Sequence, residues 1–177
     1  MRMMRGMVTV VALLATASAV EAQVGLGAQG GVAFPQGDNM DGLAAGWHAD
    51  GTLSFDPALL PVGVRVEGGY ATMGTDEDEA LFEGDYQQLH LIGNAILSMP
   101  IPGLTPYLIG GVGYYRDRIE LEDSDVETEW EDNAGANIGV GLDLPLPVLD
   151  VYVETRFHHI FGEDSRQMIP VSVGLRF

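Results

Sequence analysis

The sequence contains no cysteine, which excludes disulfides, thiolate metal sites and thiol nucleophiles. Lysine is absent too, so its eight cationic residues are all arginine. Beyond residue 22 no apolar stretch goes far without a glycine, a proline or a charge. A membrane-spanning helix needs about 20 predominantly apolar residues, so the rest of the chain can cross a membrane only as strands. Positive charge is scarce: 8 Arg face 26 Asp and Glu, a net charge of −18. That balance excludes nucleic acid as a partner, because a phosphate backbone demands positive charge. Disorder does not follow from it, since 46% of the residues are hydrophobic and the acids are clustered.

The first 22 residues have the layout of a secretory signal. Arg2 and Arg5 form a charged start, Met7 to Leu14 an apolar run broken only by Thr9, and Val20-Glu21-Ala22 a cleavage motif before Gln23. The run is too short to span a bilayer. The expected organisation is a signal peptide over 1–22 and a single domain over 23–177, with 6 Arg against 25 acidic residues and a net charge of −19.

What the domain has in abundance is a period of two. Trp47, Ala49, Gly51, Leu53 and Phe55 alternate with His48, Asp50, Thr52 and Ser54, a strand with one apolar and one polar face. Val62 to Glu67 repeats the pattern with Arg65 and Glu67 together. Leu89 to Leu97 follows it apart from Ile92 and Ile96, which spoil the alternation. Ala136 to Leu144, Leu149 to His158 and Ile169 to Phe177 are cleaner. The glycine-rich stretches Val24 to Phe34 and Tyr107 to Arg116 bring the strand candidates to eight, an even number as an up-and-down bacterial barrel requires. Glycines such as Gly110, Gly139 and Gly141 read as relief for bends or large crossing side chains. No helix follows them, so no phosphate-binding loop is implied.

The connections fall into two alternating classes. Residues 56–61, 100–106 and 145–148 are short and hold seven of the nine prolines. Residues 35–43, 74–85, 117–133 and 162–167 hold 19 of the 25 acids after residue 22. Short turns at one rim and polar loops at the other are the asymmetry of a transmembrane β-barrel. A bilayer cannot hydrogen-bond exposed backbone, so a spanning sheet must close. Each strand then shows lipid an apolar side chain at every second position. The polar alternates fill a lumen that eight strands make narrow: Arg65, Glu67, Glu154, Arg156, Arg176 and Asp143 as an ion-pair network, with His48, Asp50, Asn94 and Asn137. Trp47, Phe55, Tyr70, Tyr107, Tyr115, Phe157 and Phe161 suit interfacial girdles. The competing architecture is a soluble binding barrel with these faces inverted.

The stretch Pro106-Tyr107-Leu108-Ile109-Gly110-Gly111-Val112-Gly113-Tyr114-Tyr115 resembles a recurrent strand of the OmpA/OmpX-like outer-membrane β-barrel family. The terminal Val171-Ser172-Val173-Gly174-Leu175-Arg176-Phe177 is similar to the C-terminal signal of that class. The resemblance implies an all-β, eight-stranded, antiparallel up-and-down transmembrane β-barrel in the bacterial outer membrane. It further implies that the barrel-assembly machinery recognises the last strand through Val173, Leu175 and Phe177. No peptidoglycan-binding domain follows the barrel, so the wall anchoring of longer relatives is not carried over.

Three chemistries invite attention. Thr75 to Glu79 and the run from Glu120 to Asp132 offer hard oxygen ligands, but no EF-hand spacing occurs, so divalent cations are expected at most weakly. His158 and His159 suggest a lipid-modifying enzyme, yet adjacent strand residues point to opposite faces. No spacing ties Ser165 to either, and the expected reading is no enzyme and no cofactor. The Arg65, Glu67, Glu154 and Arg156 set could gate a narrow pore, cation-preferring because of its acidic mouth, or simply brace a packed lumen. A structural or surface-interaction role is the leading expectation, with outer-membrane lipid around the barrel. Trp130, among the acids of residues 117–133, is the candidate loop contact, with packing on the barrel rim as its alternative.

Overall fold

The computed structural model describes residues 22–57, 60–75, 84–121, 129–145, 150–162 and 164–177. Apart from Ala22, the expected signal peptide lies outside these residues. Eight strands follow one another: β1 (Ala22–Gln36), β2 (Gly46–Pro57), β3 (Val62–Gly74), β4 (Gly84–Ser98), β5 (Thr105–Leu121), β6 (Glu131–Pro145), β7 (Asp150–Ile160) and β8 (Arg166–Arg176). Each is antiparallel to the next, and β1 also pairs with β8, so the sheet closes into a barrel. Closure leaves no edge strand whose backbone groups would stand unpaired in lipid. One 3-10 turn, Asp38–Met40, is the sole helical element among the described residues.

The period of two decides which side chains face which way. On β2, His48, Asp50, Thr52 and Ser54 are buried while Trp47, Leu53 and Phe55 are exposed. The same division runs round the wall, with Leu26, Val64, Leu91, Leu108, Val112, Ile138, Val153 and Val173 outward. So continuous an apolar surface is untenable in water and stable in hydrocarbon. A soluble barrel with inverted faces is thereby ruled out. A slip of one residue in any register would turn the apolar set of that strand inward.

The strands are longer than their alternating segments. β5 runs past Arg116 to Leu121 and β6 begins at Glu131. The outward positions of β5 there are Arg118 and Glu120 while Ile119 and Leu121 take the other parity, the reverse of the pattern in the membrane band. The alternation that marks the spanning segment therefore stops although the backbone ladder continues. Ile92 and Ile96 do not interrupt β4: they are buried in the lumen at 0% and 6% exposure, because the interior contains apolar layers as well as charge. Tyr107 and Tyr115, expected in the girdles, also point inward. Their neighbour Tyr114 faces out instead, and Trp47 and Tyr70 pack at 5.6 Å between ring centroids on the outer wall. Two lumen tyrosines explain two glycines. A Cβ on Gly141 would meet the Tyr107 ring, and one on Gly174 the Tyr152 ring.

Candidate functional site: a filled lumen

At mid-height, β3 supplies Arg65 and Glu67, and β7 supplies Glu154 and Arg156. Those two strands are four apart in a ring of eight, so their side chains meet across the lumen. Arg65 Nη2 donates to Glu154 Oε2 at 2.5 Å, and Arg156 donates to Glu67 Oε1. Along each strand the pairs repeat, Arg65 Nε to Glu67 at 3.5 Å and Arg156 Nε to Glu154 at 2.9 Å. The result is a square of alternating charge, no side chain more than 4% exposed. Tyr107 donates to Glu154 at 2.7 Å, and the Arg65 guanidinium lies 5.2 Å from the Tyr152 ring centroid. Two positive and two negative charges leave the square neutral, which is the condition for burying them at tolerable cost.

Arg176 and Asp143 do not join this square. Arg176 reaches Asp143 at 3.2 Å, Asp150 at 3.1 Å and Asp56 at 3.6 Å, a separate cluster at the turn end. Between cluster and square lies a vestibule of about 230 Å³, lined by Arg65, Tyr107 and Tyr152 as well as Asp143 and Arg176. The expected single network is therefore two groups separated along the barrel axis.

On the other side of the square the lumen holds a second polar layer. Asp50 accepts from Gln29 at 3.1 Å and bridges His48 Nδ1 at 2.8 Å and His90 Nε2 at 2.6 Å. Ser172 Oγ lies 3.1 Å from His48 Nε2. Ser172, His48 and Asp50 thus follow the partner order of a hydrolase triad. Ser172 is only 1% exposed, however, and the adjoining cavity is about 10 Å³, room for one water at most. His158 points inward to the Tyr115 hydroxyl at 3.0 Å, while His159 packs on Phe161. Ser165 meets neither: its carbonyl accepts from Asn39 at 3.0 Å.

Towards the loops the lumen turns apolar. Met73, Tyr86, Ile92, Tyr115, Ile160 and Met168 pack together, and Met40 drops in from the 3-10 turn of the first loop. Above them Arg166 pairs with Asp117 and, at 2.8 Å, with Glu131. Trp130 lies at the loop-end wall, its ring centroid 4.7 Å from Arg118 Cζ and 5.6 Å from Arg116 Cζ. On β8, Val173 and Leu175 face outward; Phe177 follows, 73% exposed, exchanging two backbone hydrogen bonds with Leu26 at 3.0 and 2.9 Å.

Among the described residues no three His, Asp or Glu side chains are grouped to hold a metal ion. The acidic stretches 76–83 and 122–128 lie outside those residues. The Asp50 cluster, the Arg166 pairs and Met40 escaped the sequence. Their partners come from strands far apart in the chain, and nothing in local spacing announces which inward residues share a height.

The model of the family described as outer membrane protein beta-barrel domain matches residues 6–177. Neisserial surface protein A (NspA) is 15% identical, covering 88% of this chain and 97% of its own, with a TM-score of 0.68. A major outer membrane protein from Thermus thermophilus is 16% identical over 89% and 100%, with a TM-score of 0.51. Ail of Yersinia pestis in a phospholipid bilayer nanodisc is 14% identical over 88% and 100%, with a TM-score of 0.50. At these identities the likeness is one of fold. No curated protein matches the sequence.

Proposed function

The chain belongs to the outer membrane protein beta-barrel domain family and is a small barrel of the bacterial outer membrane; on that premise we propose that it is a sealed anchor presenting its acidic loops to partners at the cell surface. The cross-lumen square of Arg65, Glu67, Glu154 and Arg156 carries this reading. It fills the bore at mid-height, and the apolar layer of Met40, Met73, Tyr86 and Tyr115 fills it again near the loops. A solute would have to break two different seals, one ionic and one apolar. With the interior committed to bracing, the loops are the part of the molecule free to meet a partner. In this reading the last strand, ending in Phe177, is handed to the barrel-assembly machinery. Divalent cations at the acidic loops remain a subsidiary expectation.

The second reading is a narrow cation-preferring pore, and the turn-end vestibule favours it, since that space reaches halfway into the barrel as far as Arg65. Catalysis has less support: Ser172, His48 and Asp50 are arranged for it but enclosed. Planar-bilayer recording separates anchor from pore. The anchor gives no discrete steps, in wild type or after charge reversal at Glu67 or Arg156. Regular steps whose size changes with those reversals would establish the pore.

A further inference from the structure

Three histidines from three strands, His48 on β2, His90 on β4 and His158 on β7, line one cavity of about 10 Å³ with Asp50, Gln88 and Arg156. Each is at most 8% exposed, and none belongs to the ionic square. A neutral imidazole carries one N–H, a charged one two. His48 has an oxygen at each nitrogen, Asp50 at 2.8 Å and Ser172 Oγ at 3.1 Å. A proton held there is fully hydrogen-bonded and neutralises Asp50. His90 and His158 lack that provision. Asp50 meets His90 at Nε2, and its Nδ1 has no partner among the described residues. The Tyr115 hydroxyl meets His158 at Nδ1, and there Nε2 has none.

The surrounding strands do not compensate a further proton. From β3 comes Glu67, already bonded to Arg65 and Arg156. From β5 comes Tyr115, its ring centroid 6.1 Å from that of His90 and 6.0 Å from that of His158; Asp117, further up the strand, is taken by Arg166 of β8. On β4, Gln88 donates to the Tyr86 hydroxyl at 2.7 Å. β1, β6 and β8 set only uncharged Gln29, Asn137 and Ser172 beside these histidines and Asp50. Arg156 stands two residues before His158 on the same face and adds positive charge. One proton therefore fits, against Asp50. A second finds no counter-charge, and the cavity is too small for the water that would hydrate it.

We propose that His48, His90 and His158 form an acid-sensitive latch: the closed lumen holds one proton in this layer, and uptake of another on His90 or His158 opens the layer to water. An opened layer takes up protons in the ordinary histidine range, about 6.5. Each proton gained on opening favours the open form about tenfold per pH unit below that range. Acid thus loosens this half of the lumen, and neutral pH closes it.

Urea unfolding in phospholipid vesicles at about pH 7.5 and about pH 5.5, both above the ordinary carboxylate range, tests it. Acidification is expected to raise the unfolding constant of wild type about tenfold more than that of H158Q, one proton's worth over that interval. H90Q should likewise respond less than wild type. H159Q, which alters the neighbouring ring packed on Phe161, should respond as wild type does. Equal responses of wild type and H158Q would overturn the latch, as would an H159Q response as weak as that of H158Q. Should H158Q give no heat-modifiable band, H90Q decides alone, and a response equal to that of wild type is fatal. Amide exchange at the same two pH values, corrected for the intrinsic rate, locates the opening. Protection should fall around His90 and His158 at the lower pH and hold around Arg176; a fall of equal size at all three would overturn a latch confined to this layer.

Discussion

Replacing Glu67 with Gln removes one corner of the lumen square without changing its volume much. Arg65 and Arg156 then share Glu154 alone, and a neutral assembly buried to 4% exposure or less gains one uncompensated positive charge. Breaking a buried pair by removing one partner costs about 3–5 kcal/mol. With a urea dependence of about 2 kcal/mol per molar, a loss of about 4 kcal/mol lowers the unfolding midpoint by about 2 M. The assay is urea unfolding in phospholipid vesicles, followed by tryptophan fluorescence and by the heat-modifiable band. Adding Arg156→Gln to E67Q restores neutrality, so the double variant should lose less than the sum of the single losses, by at least about 1 kcal/mol. A midpoint shift below about 0.5 M for E67Q, or strict additivity in the cycle, would refute the view that the square is a tightly coupled brace.

Other perturbations test neighbouring parts. Arg176→Gln should cost only about 1 kcal/mol, because its three carboxylate partners sit at the turn-end mouth, where Arg176 is 23% exposed; a loss as large as that of E67Q would contradict the separation of the two clusters. Gly174→Ala places a methyl against the Tyr152 ring and should destabilise by about 1–3 kcal/mol, with part of the loss recovered in G174A/Y152L by the same unfolding assay. Phe177→Ala should lower the amount of assembled barrel in cells severalfold while leaving the refolded protein nearly as stable. Its ring is exposed and its backbone bonds to Leu26 do not need the side chain; equal loss in both settings would mean that the ring acts in stability rather than assembly.

Much of the barrel is legible in one dimension because a strand repeats every two residues and a membrane reverses the usual inside and outside. The square is the most legible part of the interior. Arg65-Val66-Glu67 and Glu154-Thr155-Arg156 each place opposite charges on one face, and their order is mirrored so that unlike charges meet across the bore. Heights are not legible. Which inward residue of one strand faces which of another depends on the stagger of the closed sheet. Alternation alone therefore puts Arg176 and Asp143 in one network with Arg65, Glu67, Glu154 and Arg156, and makes Ile92 read as a fault in β4. The same limit hid Ser172 from His48, 124 positions apart in the chain. For Tyr107 and Tyr115 the ambiguity is of another kind: an aromatic near a strand end suits a girdle and a lumen equally well, and only parity along β5 decides. Trp130 shows a third kind of gap, since its place on the wall depends on β5 extending to Leu121 through residues that no longer put apolar side chains outward.

A membrane-inserted barrel requires apolar alternates facing lipid and polar alternates facing a closed interior. Single-tryptophan proteins measure this directly in vesicles containing brominated lipid, which quenches by contact. In a W47F/W130F background, Phe55→Trp places the probe on the outer wall and Tyr152→Trp places it in the lumen. Strong quenching of the first and weak quenching of the second is the predicted result. Quenching of the Tyr152→Trp protein as strong as that of Phe55→Trp would contradict the assignment of faces and, with it, the sealed barrel.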